Sequence, residues 1–231
     1  MKRALIMTVL FCTVTGAGPA VEFALDLTYD NPVASMFPEY AVAYSSGDPF
    51  LPPSIRIQPL KATKDAAAKA VDIIRSSGYD DLVCAVAYAE HVDWVEPLTF
   101  NYERVRLKIR GANRSRNPST SLHLGIEAGK NELVSVRGRN NAEKVLVLMT
   151  DGNSDSSDAL AEAQLAADAG IKIHTVGLGS DVDQGLLNQI ASMGGGQSLH
   201  IANNTDPSVY GPQLEAVFKN LAEEVGFMLI Q

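Results

Sequence analysis

The chain has 231 residues, 46% hydrophobic and 20% charged, long and apolar enough to bury one large core. Its formal charge of −8 argues against nucleic acid or an anionic membrane surface as a general partner, and suits a cation or a basic protein patch instead. The sequence contains no low-complexity tract and no internal repeat.

Residues 1–20, MKRALIMTVLFCTVTGAGPA, place Lys2 and Arg3 before an apolar run from Ala4 to about Val14, followed by small residues. That order is the pattern of a secretory signal, and the run is short for a membrane-spanning helix. A buried N-terminal strand and an uncleaved anchor are the competing readings. If the segment is removed, Cys84 in DLVCAVAY is the one cysteine left, so a packed core thiol is expected and no intramolecular disulfide.

Residues 21–231 read as one domain. VEFALDL (21–27) reads as a buried strand. Residues 31–60 are proline-rich and aperiodic, and read as a long loop of the kind that is often functional. A helix follows over 61–78, with Ala66, Ala67, Ala70, Ile73 and Ile74 on one stripe and Gly78 as its stop. Strands are expected at 81–89 and 91–99, a short amphipathic helix at 102–110, and a helix from about Thr120 to Val134. The remainder alternates strand 143–150, helix 156–170 with Ser or Asp caps and Gly170 as its stop, strand 171–179, helix 183–195, edge strand 197–202 and helix 210–225. Continuous Val, Ile and Leu runs between amphipathic helices define an α/β fold: a doubly wound, mostly parallel central sheet with helices on both faces. Such sheets bind ligands beyond the carboxyl ends of their strands, and Asp151 in KVLVLMTDGNSD stands at one such end.

From Val21 onward the chain resembles a von Willebrand factor type A domain. VEFALDL is similar to the first strand of that family, DLVCAVAYAEHVDWVEPLT to its strand pair, NPSTSLHLGIEAG to its threonine turn into a helix, KVLVLMTDGNSD to its most recognisable strand, and GIKIHTVGLGSDVDQGLLNQIASMGGG to the later strand, loop and helix. The proline-rich segment and the ending YGPQLEAVFKNLAEEVGFMLIQ look more specifically like bacterial exported members, including those linked to Tad-type pilus proteins.

The resemblance implies a metal-ion-dependent adhesion site and a non-enzymatic module that grips a protein partner, through an acidic side chain on the cation, at the cell surface, in the periplasm or outside the cell. The cation would be Mg²⁺, with Mn²⁺ or Ca²⁺ as alternatives. Asp26, Thr28 and Asp30 fall on its first motif, Thr120 on its second loop and Asp151 on its third. The physical requirement is simple: Mg²⁺ takes octahedral oxygen ligands, and alternate residues of an extended turn aim oxygens the same way. Two departures stand out. Asp30 occupies a position the family gives to serine, and DLTYDNPVASM stands where a Gly-Ser-Met follows in the family.

Each residue also has an ordinary reading. Asp151 and Asp30 serve as turn residues, Thr28 as a strand hydroxyl, and Thr120 as the cap of the helix after it. Two further functions stay open on the sequence: a structural domain whose metal site has decayed, acting in cell-surface or pilus assembly, and a metal-dependent hydrolase. For the hydrolase, Asp26-Leu27-Thr28 lacks a second aspartate at the spacing it would need. His91, His123, His174 and His200 are scattered without ligand spacing, Ser154, Ser156 and Ser157 lie in no nucleophile elbow, and RGRNN (137–141) reads as a solvated basic turn.

Overall fold

The computed structural model describes residues 5–12, 60–76, 81–112, 120–139, 142–151, 154–180, 182–202 and 207–227. Among the described residues six strands form one sheet: β1 (Leu5–Cys12), β2 (Leu82–Tyr88), β3 (Val92–Thr99), β4 (Glu143–Thr150), β5 (Ile171–Leu178) and β6 (Ser198–Ile201), in the spatial order β3-β2-β1-β4-β5-β6. Neighbours are parallel except β2 and β3, which form an antiparallel pair.

The strands alternate their apolar side chains between two cores. On one face Val83, Ala85, Val145, Val147 and Val176 meet α1 (Leu60–Ser76), α2 (Tyr102–Arg110) and α6 (Pro207–Phe227). On the other, Cys84, Val86, Leu146, Leu148 and Ile173 meet α3 (Leu122–Leu133), α4 (Ser156–Asp168) and α5 (Gln184–Met193). All of β2 is buried, and β4 from Val145 onward, as a sheet covered on both sides demands. The stripe expected on α1 is its core face: Ala66, Ala67, Ala70 and Ile74 are buried, with Ile73 packed at the margin. Cys84 is a buried free thiol.

From residue 60 onward the expected elements recur within a few residues, and α2 and β4 have the bounds expected for them. Gly170 ends α4 at φ +72°, a conformation in which a side chain would be strained. The last helix begins at Pro207 instead of Tyr210. Proline fits a first turn, whose N–H groups lack helical partners anyway, but with Pro212 further along it masks the helix start in the sequence pattern.

The N-terminus departs most from the expected element pattern. Residues 5–12, expected to belong to an export signal, form the strand at the centre of the sheet. β1 pairs with β2 from Ile6↔Leu82 to Cys12↔Tyr88, and with β4 from Leu5↔Glu143 to Phe11↔Met149. The first place in the chain order of strands is thus held by β1; residues 21–27, expected as the first strand, lie outside the described residues, as does all but Leu60 of the loop expected over 31–60, Leu60 being the first residue of α1. The physical reason is plain: a fully covered parallel strand is a short continuous apolar run, and behind two basic residues it reads the same as a signal. Among the described residues no helix is long and apolar enough to cross a membrane.

Candidate metal edge at the carboxyl ends of the strands

The parallel strands end together. β1 stops at Cys12, level with Tyr88 of β2, while β4 stops at Thr150 opposite Gly177 of β5. Asp151 follows directly and is half-buried; Thr150 is fully buried.

Thr120 reaches the same edge from across the sheet. It stands two residues before α3 and is buried. The cap position of α3 is Ser121, and the Ser121 side chain makes no capping bond. Thr120, read from the sequence as the cap, thus stands one residue ahead of the cap position. The turn is held instead by its backbone: the Ser121 N–H donates to the carbonyl of Ala89, just past β2, at 2.8 Å. The Leu122 N–H donates to Ser154 Oγ, in the loop after β4, at 3.0 Å. The Thr120 turn is thus stitched to the Asp151 loop and to the end of β2.

The next residue of the β4 loop, Asp155, caps α4. Its carboxylate accepts from the Ser157 hydroxyl at 2.8 Å and the Ser157 N–H at 3.0 Å. Those two bonds hold its carboxyl below the usual range despite partial desolvation, with a smaller contribution from His123. His123 lies on the first turn of α3, and its Nδ1 is buried without a hydrogen-bond partner among the described residues. The other histidines are elsewhere: His174 Nδ1 accepts from the Gln197 N–H at 3.1 Å, His200 Nε2 donates to the Gly179 carbonyl at 2.7 Å, and His91 lies exposed beside Asp93.

Of the five expected ligands, the structure brings Thr120 and Asp151 to one edge; Asp26, Thr28 and Asp30 lie outside the described residues. The strand tip beside β4 carries Cys12, where the family pattern calls for an aspartate. Among the described residues no three His, Cys, Asp or Glu side chains gather closely enough to hold a metal. The described donors are one carboxylate and one hydroxyl, an oxygen set that fits a hard divalent cation once further oxygens join it. The chain leaves β1 at this edge after Cys12.

Two residues at this edge escape sequence reasoning. Ser154 acts on a partner 32 positions away, and no local pattern marks it. His123 belongs to no ligand spacing. The basic turn at 137–141, expected to be solvated, is partly tied down: Arg137 pairs with Glu132, and the Arg139 guanidinium lies 5.0 Å from the Phe100 ring centroid.

A six-stranded, doubly wound sheet with threonine and aspartate loops at its carboxyl edge is the architecture of von Willebrand factor type A domains. The family model for the von Willebrand factor type A domain matches residues 53–216, and the chain belongs to that family. A sequence search of curated proteins returns no match. Among solved structures, BatB from Bacteroides thetaiotaomicron superposes with a TM-score of 0.59 at 14% identity, covering 96% of this chain and 98% of its own. Proximal thread matrix protein 1 from the mussel byssus, with a zinc-occupied MIDAS motif, gives 0.56 at 16% identity, covering 96% of this chain and 46% of its own. The pilus adhesin SpaC from Lactobacillus rhamnosus GG gives 0.64 at 12% identity, covering 98% and 30%. This chain therefore spans less than half of the mussel protein and of SpaC, and nearly all of BatB. Likeness at these identities is likeness of fold.

Proposed function

We propose that the chain is a non-catalytic, adhesion-type binding module that grips a protein partner through a divalent cation at the carboxyl edge of its sheet. Asp151 supplies charge there and Thr120 a hydroxyl. Asp26, Thr28 and Asp30, in the segment that leaves this edge, complete the oxygen set. Mg²⁺ or Mn²⁺ suits it best, and an acidic side chain of the partner takes the open position. The observation that carries this reading is the stitching of the Thr120 turn to the Asp151 loop, since a cation site needs ligands from separate loops held at fixed spacing. A setting in the cell envelope or a surface assembly, pili included, is supported by the fold shared with a pilus adhesin and a byssal matrix protein.

A second reading is a structural domain with a decayed metal site, serving assembly through its loops. Cys12 at the tip of β1 favours it. Calorimetry separates the two. The first reading expects Mg²⁺ and Mn²⁺ to bind the wild type and to be lost with Asp151→Ala. Asp30→Ser should weaken binding roughly tenfold, equal to about 1.4 kcal/mol, if Asp30 is a ligand. A wild type that takes up neither ion at millimolar concentration overturns the first reading in favour of the second.

A further inference from the structure

We infer that Ser154 is the positioning residue of this edge, a latch that locks the Thr120 turn onto the Asp151 loop before any cation arrives. The inference rests on the metal-edge reading for its function, but its geometry stands apart from it. The first turn of a helix leaves four N–H groups without helical partners, and most helices satisfy one of them with their own cap side chain. Here α2, α4 and α5 do so, through Asn101, Asp155 and Asp183. Of the four helices whose N-caps are described, α3 is the exception: its cap residue Ser121 makes no such bond. Its orphan donor at Leu122 is satisfied instead from another loop, by Ser154 Oγ at 3.0 Å.

The consequence is mechanical. Ser154 lies three residues beyond Asp151, and Leu122 two beyond Thr120. This hydrogen bond therefore ties together the two loops that carry the described candidate ligands. Asp155, adjacent to Ser154, anchors the same loop to α4 through Ser157. Ser121, adjacent to Leu122, anchors the turn to β2 through Ala89. The Ser154–Leu122 bond joins these two anchored pieces. A helix capped by its own residue can shift without the β4 loop, whereas the first turn of α3 shares a hydrogen bond with it.

The test uses Ser154→Ala and Ser154→Thr in the full chain. In metal-free protein, amide exchange at Leu122 should speed up at least tenfold in Ser154→Ala, with Val147 in the sheet still protected, and should return towards wild type in Ser154→Thr, which keeps the hydroxyl. Mn²⁺ affinity should fall roughly fivefold in Ser154→Ala, the equivalent of one neutral hydrogen bond, and recover in Ser154→Thr. Unchanged exchange at Leu122 overturns the latch. Faster exchange with unaltered Mn²⁺ affinity overturns its positioning role. A wild type that binds no Mn²⁺ defeats the metal-edge reading and the positioning role with it, while the exchange measurement still decides whether the latch exists.

Discussion

The hydroxyl of Tyr88 on β2 donates to the carbonyl of Met149 on β4 at 3.0 Å, across the strand that separates them. β2 and β4 are not neighbours; β1 lies between them and ends level with Tyr88. The bond bridges the tip of β1, just inside the candidate metal edge.

That arrangement makes the N-terminal residues indispensable. Deleting residues 1–20 removes β1 and parts β3-β2 from β4-β5-β6, exposing two long apolar strand edges. The truncated chain is expected to aggregate or stay unfolded, as judged by circular dichroism and gel filtration. Mass spectrometry of the native protein should correspondingly find residues 5–12 retained. A processed, folded chain starting near Val21 would contradict β1. Tyr88→Phe is a milder probe, expected to cost about 1 kcal/mol in chemical denaturation, because one buried carbonyl loses its additional donor.

Val147 lies on β4 between β1 and β5 and is fully buried. Val147→Asp should abolish folding, since an unpaired buried charge costs several kcal/mol, on the order of the whole stability of a domain. A melting profile equal to wild type would place β4 at a solvent-facing edge.

Acid should weaken the corner where β3 meets α3. Glu132 accepts from Arg137 Nε and Nη2, both at 2.7 Å, and from the Leu98 N–H of β3 at 2.8 Å. Burial alone would raise the Glu132 pKa, but the Arg137 hydrogen bonds, the Leu98 N–H and the charge of Arg137 together hold it below its ordinary 4.5. A carboxyl depressed in the folded state stabilises it at all pH above the unfolded pKa, and that stability is lost as pH falls through the folded value. Glu132→Gln should therefore cost about 1 kcal/mol at pH 7, a modest figure because Arg137 is half-exposed to solvent. The deficit relative to wild type should close as denaturation is repeated below pH 4. A deficit that persists at low pH would assign the effect to packing and not to charge.

The fold was legible where burial follows period. β2 and β4 are unbroken apolar runs, α1 carries its alanine stripe, and Gly170 stops α4 where a positive φ is needed. β1 was hidden because a central parallel strand and the apolar part of an export signal share one pattern, and only the partners at Leu82 and Glu143 tell them apart. At the candidate edge, the position of Asp151 was legible because an apolar strand run ends in a carboxylate. Ser154 could not, because its role depends on a helix that begins 32 residues earlier in the chain and lacks its own cap. Glu132 was equally silent, since its buried carboxylate gains meaning only from Arg137 and Leu98.

The most direct test of a cation at the carboxyl edge is paramagnetic broadening of amide signals by substoichiometric Mn²⁺ in the full chain. The effect falls off steeply with distance from the ion, so it locates the site without knowledge of a partner. Amides of Ala89, Thr120, Ser121, Leu122, Asp151 and Ser154 should broaden first, and the broadening should vanish in Asp151→Ala. Broadening centred on the exposed carboxylates of α4, Asp158 and Asp168, or none at any residue of this edge, would contradict the account.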